Sequence, residues 1–146
     1  IKVRLILTVT IPESFHDLFT RPVYVVLTTL MPDGQPQSSV VWADYDGECV
    51  RVNATRDRQK TKNMARDPRV TLLALDPDNA YRWIEVRGTV TEITENGGVE
   101  HIESLSRKYM GRGYYGDFAP AERRSEETRV LIRIRPTRIV TFPRGR

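Results

Sequence analysis

One cysteine, Cys49, and two histidines, His16 and His101, stand among 146 residues. A single cysteine allows no internal disulfide, which fits a reducing, cytoplasmic setting. Cys49 itself reads as a small, half-buried strand residue. The histidines are far apart and neither has a cysteine or a second histidine beside it. That excludes the usual metal-ligand spacings and gives a Ser-His-Asp nucleophile little to work with. No Gly-Lys-Ser/Thr is present, so there is no phosphate-binding P-loop. No apolar run approaches the ~20 residues of a membrane helix, so no membrane partner is expected. Residues 1–10 lack the layout of a signal peptide and read as an extension of one domain spanning 1–146. A chain of this length has no room for two domains with a cleft between them. A deep site therefore needs a second copy of the chain.

Hydrophobic residues make up 39% and charged residues 29%, the balance of a soluble globular domain. The net charge is +4, and it is local. Residues 56–69 hold six basic side chains against Asp57 and Asp67, a surplus equal to that of the whole chain. A focused positive patch points to an anionic partner: phosphate, polycarboxylate or nucleic acid. Nucleic-acid binders of this size interleave aromatics with their cations. This segment contains none, so no nucleic acid is expected.

Hydrophobic spacing predicts a short helix over 12–20, where Phe15, Leu18 and Phe19 share a face. Strands are predicted over 23–30, 37–45 and 48–54, joined by turns at Asp33-Gly34 and Asp46-Gly47. A helix over 57–66 follows, with Asp57 as its cap and Asp67-Pro68 as its end. Strands over 69–75 and 83–93, a helix over 99–110 and a strand over 129–135 complete the pattern, with 139–142 extending or pairing with the last. Hairpins dominate and no βαβ alternation appears. The expected class is mainly β (α+β): an antiparallel barrel of six to seven strands with two to three short helices.

Residues 111–116 spell G-x-G-x-x-G, but they follow a helix rather than a strand. A dinucleotide fingerprint needs the reverse order, so the segment reads as a mobile loop. The stronger signal is Arg58-Gln59-Lys60-Thr61-Lys62-Asn63 at a helix start. Free backbone N–H groups, a guanidinium, an ammonium and a hydroxyl there form a phosphate cradle. Cations at a helix start oppose its dipole, and a bound anion relieves that conflict.

The Asp33-Gly34-Gln35-Pro36 turn, the strand ending Val40-Val41-Trp42, the Lys60-Thr61-x-Asn63 block and Asp67-Pro68-Arg69 together resemble the split β-barrel flavin/deazaflavin oxidoreductases. These are relatives of pyridoxamine 5′-phosphate oxidase, and the resemblance is closest to the branch that uses coenzyme F420. It implies a homodimer with cofactor at the interface. It also implies cofactor-binding roles for Arg58, Lys60 and Thr61 at the phosphate, with Asn63 in support. Ser39, Val41 and Trp42 would face the ring, Asn53 would approach the groove, and Trp83 would cover the ring from the partner chain. No catalytic side chain is implied, because the cofactor performs the hydride transfer to a small electron-poor acceptor. The cation surplus, including Lys62 and Arg66, suits the oligoglutamate tail of coenzyme F420 better than the single phosphate of FMN. FMN in an oxidase-like protein is the alternative, as is a non-catalytic flavin or haem carrier. A pyridoxine-phosphate oxidase's substrate-phosphate motif is not found at the C-terminal end.

Overall fold

Alternation of buried and exposed side chains marks most strands of the computed structural model, which describes residues 9–144. The expectation for residues 1–10 therefore lies, except at its last two positions, outside the described residues. After a 3-10 turn (Glu13–Phe15) come α1 (Asp17–Thr20), β1 (Val25–Leu30), β2 (Pro36–Val41), β3 (Ala43–Tyr45) and β4 (Val50–Thr55). Then follow α2 (Gln59–Arg66), β5 (Arg69–Leu75), β6 (Trp83–Thr94), α3 (Gly98–Met110), α4 (Arg123–Glu126) and β7 (Arg129–Phe142).

All seven strands join one antiparallel sheet in the order β2-β1-β5-β6-β7-β4-β3. β2 and β3 lie at opposite edges, yet only Trp42 separates them in the chain. The sheet must curl until its edges meet at that residue, which gives the split β-barrel the sequence implied. The continuous strand expected over 37–45 accordingly breaks at Trp42.

The inward row of each strand fills the barrel: Val25 and Leu27, Val52 and Ala54, Leu72 and Ala74, Ile84 and Val86, Ile132 and Ile134. Leu18 and Phe19 of α1 belong to the same core and are fully buried. Each such Leu, Ile or Phe contributes roughly 1.5–3 kcal/mol by leaving water. The two stretches expected over 129–135 and 139–142 form one strand: Pro136 stays in register opposite Gly88, and a bulge takes up Thr137 before Arg138 pairs with Arg87. α4 was not expected. It is one turn long and buries nothing, so it carries no hydrophobic period.

Two glycines permit close approaches that position the site. At Gly98 an added Cβ would meet the Arg129 carbonyl, so glycine lets α3 begin directly against β7. At Gly88 an added Cβ would lie 2.6 Å from Ile134 Cγ2 and 2.8 Å from the Arg135 carbonyl oxygen. Gly88→Ala is expected to destabilise the fold by about 1–3 kcal/mol, the scale of overpacking, as read by chemical denaturation.

Candidate functional site

A pocket of about 340 Å³ opens where β2 ends at the barrel seam. Val40, Val41 and Trp42 form one wall and Asn53, Ala54 and Thr55 of β4 another. Ile102 and Leu105 of α3, with Tyr114 and Phe118 of the following loop, make an apolar and aromatic side. Arg58, Lys60 and Arg129 supply the charge.

The aromatic side is closely packed. Trp42 stacks on Tyr109 with ring centroids 5.4 Å apart and 13° between planes, and meets Tyr114 edge-on at 6.4 Å. The loop over 111–120 is held by Glu103, whose carboxylate accepts the backbone N–H groups of Tyr114 (2.9 Å) and Tyr115 (3.0 Å). Ser106 also donates to the Gly113 carbonyl at 3.2 Å. Where the sequence suggested a mobile loop, the structure shows one pinned by a half-buried carboxylate. Burial raises the Glu103 carboxyl, but the two N–H groups outweigh it and hold it below the usual range.

The charged side has unmet demand. Of the six cations in residues 56–69, Arg56 pairs with Glu95 and Arg69 with Asp67. Arg66 donates to the Leu30 carbonyl and to Asn63 Oδ1. Arg58, Lys60 and Lys62 make no side-chain hydrogen bond or ion pair with another described residue. Lys60 is partly buried, and burial, reinforced by Arg58 and Arg129, pushes its ammonium down to about 8. Arg129 reaches the pocket from β7. Its Nη2 donates to Tyr114 Oη at 2.6 Å, and Glu127 balances it at 2.9 Å. A half-buried ammonium beside two guanidiniums, only one of them neutralised, is an anion-binding arrangement.

With this fold and pocket, comparison with known families is decisive. The model described as pyridoxamine 5′-phosphate oxidase matches residues 11–142. The chain belongs to the pyridoxamine 5′-phosphate oxidase family. A solved F420 reductase is 37% identical, with a TM-score of 0.77 over 89% of this chain and 98% of its own. A conserved hypothetical protein from Mycobacterium tuberculosis is 28% identical, with a TM-score of 0.68 over 96% of this chain and 89% of its own. The General Stress Protein 26 from Bacillus anthracis, 18% identical with a TM-score of 0.66 over 91% and 94%, shares the fold.

Within this family member, the pocket brings together Val41, Trp42, Asn53, Arg58 and Lys60 of the sequence-predicted set. Four others stand outside its wall. Thr61 is buried, and its hydroxyl proton goes to the Thr55 carbonyl at 2.7 Å, which locks α2 to β4. Asn63 is fully buried and donates to Thr29 Oγ1 (3.1 Å) and Gln37 Oε1 (3.3 Å), tying α2 to β1 and β2. Ser39 sits opposite Leu27 on β2, one pleat from Val41. Trp83 stacks on Phe142 at 6.0 Å and does not line this chain's own pocket. Asp57 does not cap α2. Its carboxylate accepts from Thr55 Oγ1 at 2.7 Å, and the cap position passes to Arg58.

Sequence reasoning missed Arg129, Tyr114, Phe118, Ile102 and Leu105 as pocket residues. Arg129 becomes a site residue only through the β4–β7 register, which sets it opposite Thr55. The strand's own pattern gave no signal, because β7 also carries Arg133, Arg135 and Arg138.

Proposed function

We propose that this protein is an oxidoreductase that transfers a hydride from reduced coenzyme F420 to a small electron-poor organic acceptor. The carrying observation is the half-buried Lys60, which faces two arginines and no acid of its own. The likeness to an F420 reductase at 37% identity supports the deazaflavin over FMN. FMN, which shares the tricyclic ring and the phosphate, is the second reading.

When bound, the deazaflavin supplies the hydride. The chain's own residues bind, orient and exclude water. Lys60, Arg58 and the first-turn N–H groups of α2 hold the phosphate, and Arg129 closes that side. Trp42, Tyr114 and Phe118 offer a flat apolar wall for the ring. Lys62, exposed two residues on from Lys60, is a further cation that a tail's carboxylates could reach. Arg66 is less available, being engaged with Leu30 and Asn63. No metal or protein nucleophile is invoked, and the lone, largely buried Cys49 fits a cytoplasmic setting. No helix among the described residues is long and apolar enough to cross a membrane.

The site is completed by a second copy of the chain. At about 340 Å³ the pocket lies at the small end of the roughly 300–1,000 Å³ usual for cofactor sites. The outer sheet face also exposes Tyr24, Val40, Leu73, Leu75 and Phe142. Register places Val26 between Val40 and Leu73, so this apolar surface crosses three strands. Such a surface on a small domain marks an association site.

Two outcomes follow. Light scattering at micromolar concentration should give a dimer, and Leu73→Glu should give a monomer; a monomeric wild type contradicts the shared site. Lys60→Ala should weaken coenzyme F420 binding by roughly 1–3 kcal/mol, the cost of losing a charged hydrogen-bond partner. A bound anion stabilises protonated Lys60 and raises its depressed pKa, so binding takes up a proton above about pH 8. Affinity should therefore fall as pH rises through about 8, and Lys60→Arg, which stays charged, should remove that fall. An unchanged affinity in Lys60→Ala removes Lys60 from the site.

A further inference from the structure

Behind the charged wall of the pocket runs a line of hydrogen bonds whose donors all point one way. Arg129 Nη1 donates to Asn53 Oδ1 at 3.4 Å. The two protons of Asn53 Nδ2 go to the Gly98 carbonyl at 2.8 Å and to His101 Nδ1 at 3.2 Å. His101 Nδ1 is then an acceptor, so its ring proton sits on Nε2, which lies 3.1 Å from Asp44 Oδ2. Asp44 is in turn gripped by Arg51 through two bonds of 2.7 and 2.9 Å. The His101 side chain is 2% exposed and the Arg129 side chain 12%.

Each link has one consistent assignment. An anionic Asp44 demands the Nε2–H tautomer. That tautomer demands the Nδ2 side of the Asn53 amide. The amide oxygen is thereby turned towards Arg129. We propose that His101 is a positioning residue for the pocket, setting the Asn53 amide so that it holds the Arg129 guanidinium on the wall. The idea rests on the pocket being the cofactor groove. A proton on Nδ1, as in the other tautomer, would place an N–H against the Asn53 amide nitrogen. The amide must then turn, the Gly98 carbonyl loses its donor, and Arg129 faces an NH₂ group instead of an acceptor.

The charged groups around His101 come from four elements. Asp44 of β3 lies at its Nε2, with Arg51 of β4 neutralising that carboxylate from the far side. Arg129 of β7 acts through Asn53. Glu100, on its own helix, shares a surface hollow with Arg51, and Lys108 of the same helix interacts with Asp44.

The test uses the whole protein. Two-bond ¹H–¹⁵N spectra of the ligand-free wild type at neutral pH should show His101 as the Nε2–H tautomer; the Nδ1–H form overturns the proposal. FMN and coenzyme F420 are then titrated against the wild type, His101→Asn and His101→Phe at neutral pH. Asn keeps an acceptor near the Nδ1 position, whereas Phe keeps only the bulk of the ring. His101→Asn should bind within about two-fold of the wild type, and His101→Phe about five-fold or more weakly. Equal affinities in all three proteins, or equal losses in both variants, overturn the proposal. If neither ligand binds the wild type, the cofactor reading fails, and the side-chain amide resonances of Asn53 decide the relay separately. They should shift in His101→Phe and stay near their wild-type positions in His101→Asn; equal shifts in both variants, or none in either, overturn it.

Discussion

The passage of the chain from one sheet edge to the other through Trp42 constrains everything else in this structure. Strands next to each other in sequence lie at opposite ends of a seven-strand order, so the sheet has no option but to curl. The crossing is braced by α3. Tyr109 donates to the Val23 carbonyl at 2.6 Å and accepts the Ala43 N–H at 3.1 Å. The Lys108 ammonium reaches the carbonyls of Phe19 and Ala43. Burial lowers Lys108 to about 8 and pushes Tyr109 up to about 12, so both groups stay in their hydrogen-bonding forms at neutral pH. Trp42 is consequently both the seam of the barrel and a wall of the pocket.

The pocket therefore inherits its geometry from the seam and its charge from elsewhere. α2 brings Arg58 and Lys60, and β7 brings Arg129. Thr61 and Asn63 fasten α2 to the barrel, so the cations stand on rigid elements rather than on a loop. Lys60, half-buried and without a counterion among the described residues, costs the fold stability. The same arrangement is relieved by an anionic ligand. Electrostatic demand of this kind is paired here with an aromatic wall whose loop is tied by Glu103. The combination suits a ligand with a phosphate at one end and a flat ring at the other.

Local chemistry was legible in the sequence. The Asp33-Gly34 and Asp46-Gly47 turns, the alternation in 69–75 and 83–93 and the helix over 99–110 all appear within a few residues of their expected places. The basic segment supplies two of the three cations that line the pocket, Arg58 and Lys60. What could not be read was non-local. The β1–β5, β6–β7 and β4–β7 pairings join residues far apart in the chain, and they alone set Arg129 beside Lys60. Competition for partners was equally hidden. The Thr61 proton and the Asn63 amide are spent inside the fold, and Asp57 is taken by Thr55 instead of capping α2. Half of the six cations of residues 56–69 are likewise engaged by Glu95, Asp67 and the Leu30 carbonyl.

The central claim is that the groove is built for a deazaflavin. A paired equilibrium titration of the ligand-free protein with coenzyme F420 and with FMN, followed by fluorescence, tests it most directly. The account predicts that coenzyme F420 binds at least about ten-fold more tightly, a difference of about 1.4 kcal/mol. Tighter binding of FMN, or binding of neither, would contradict it.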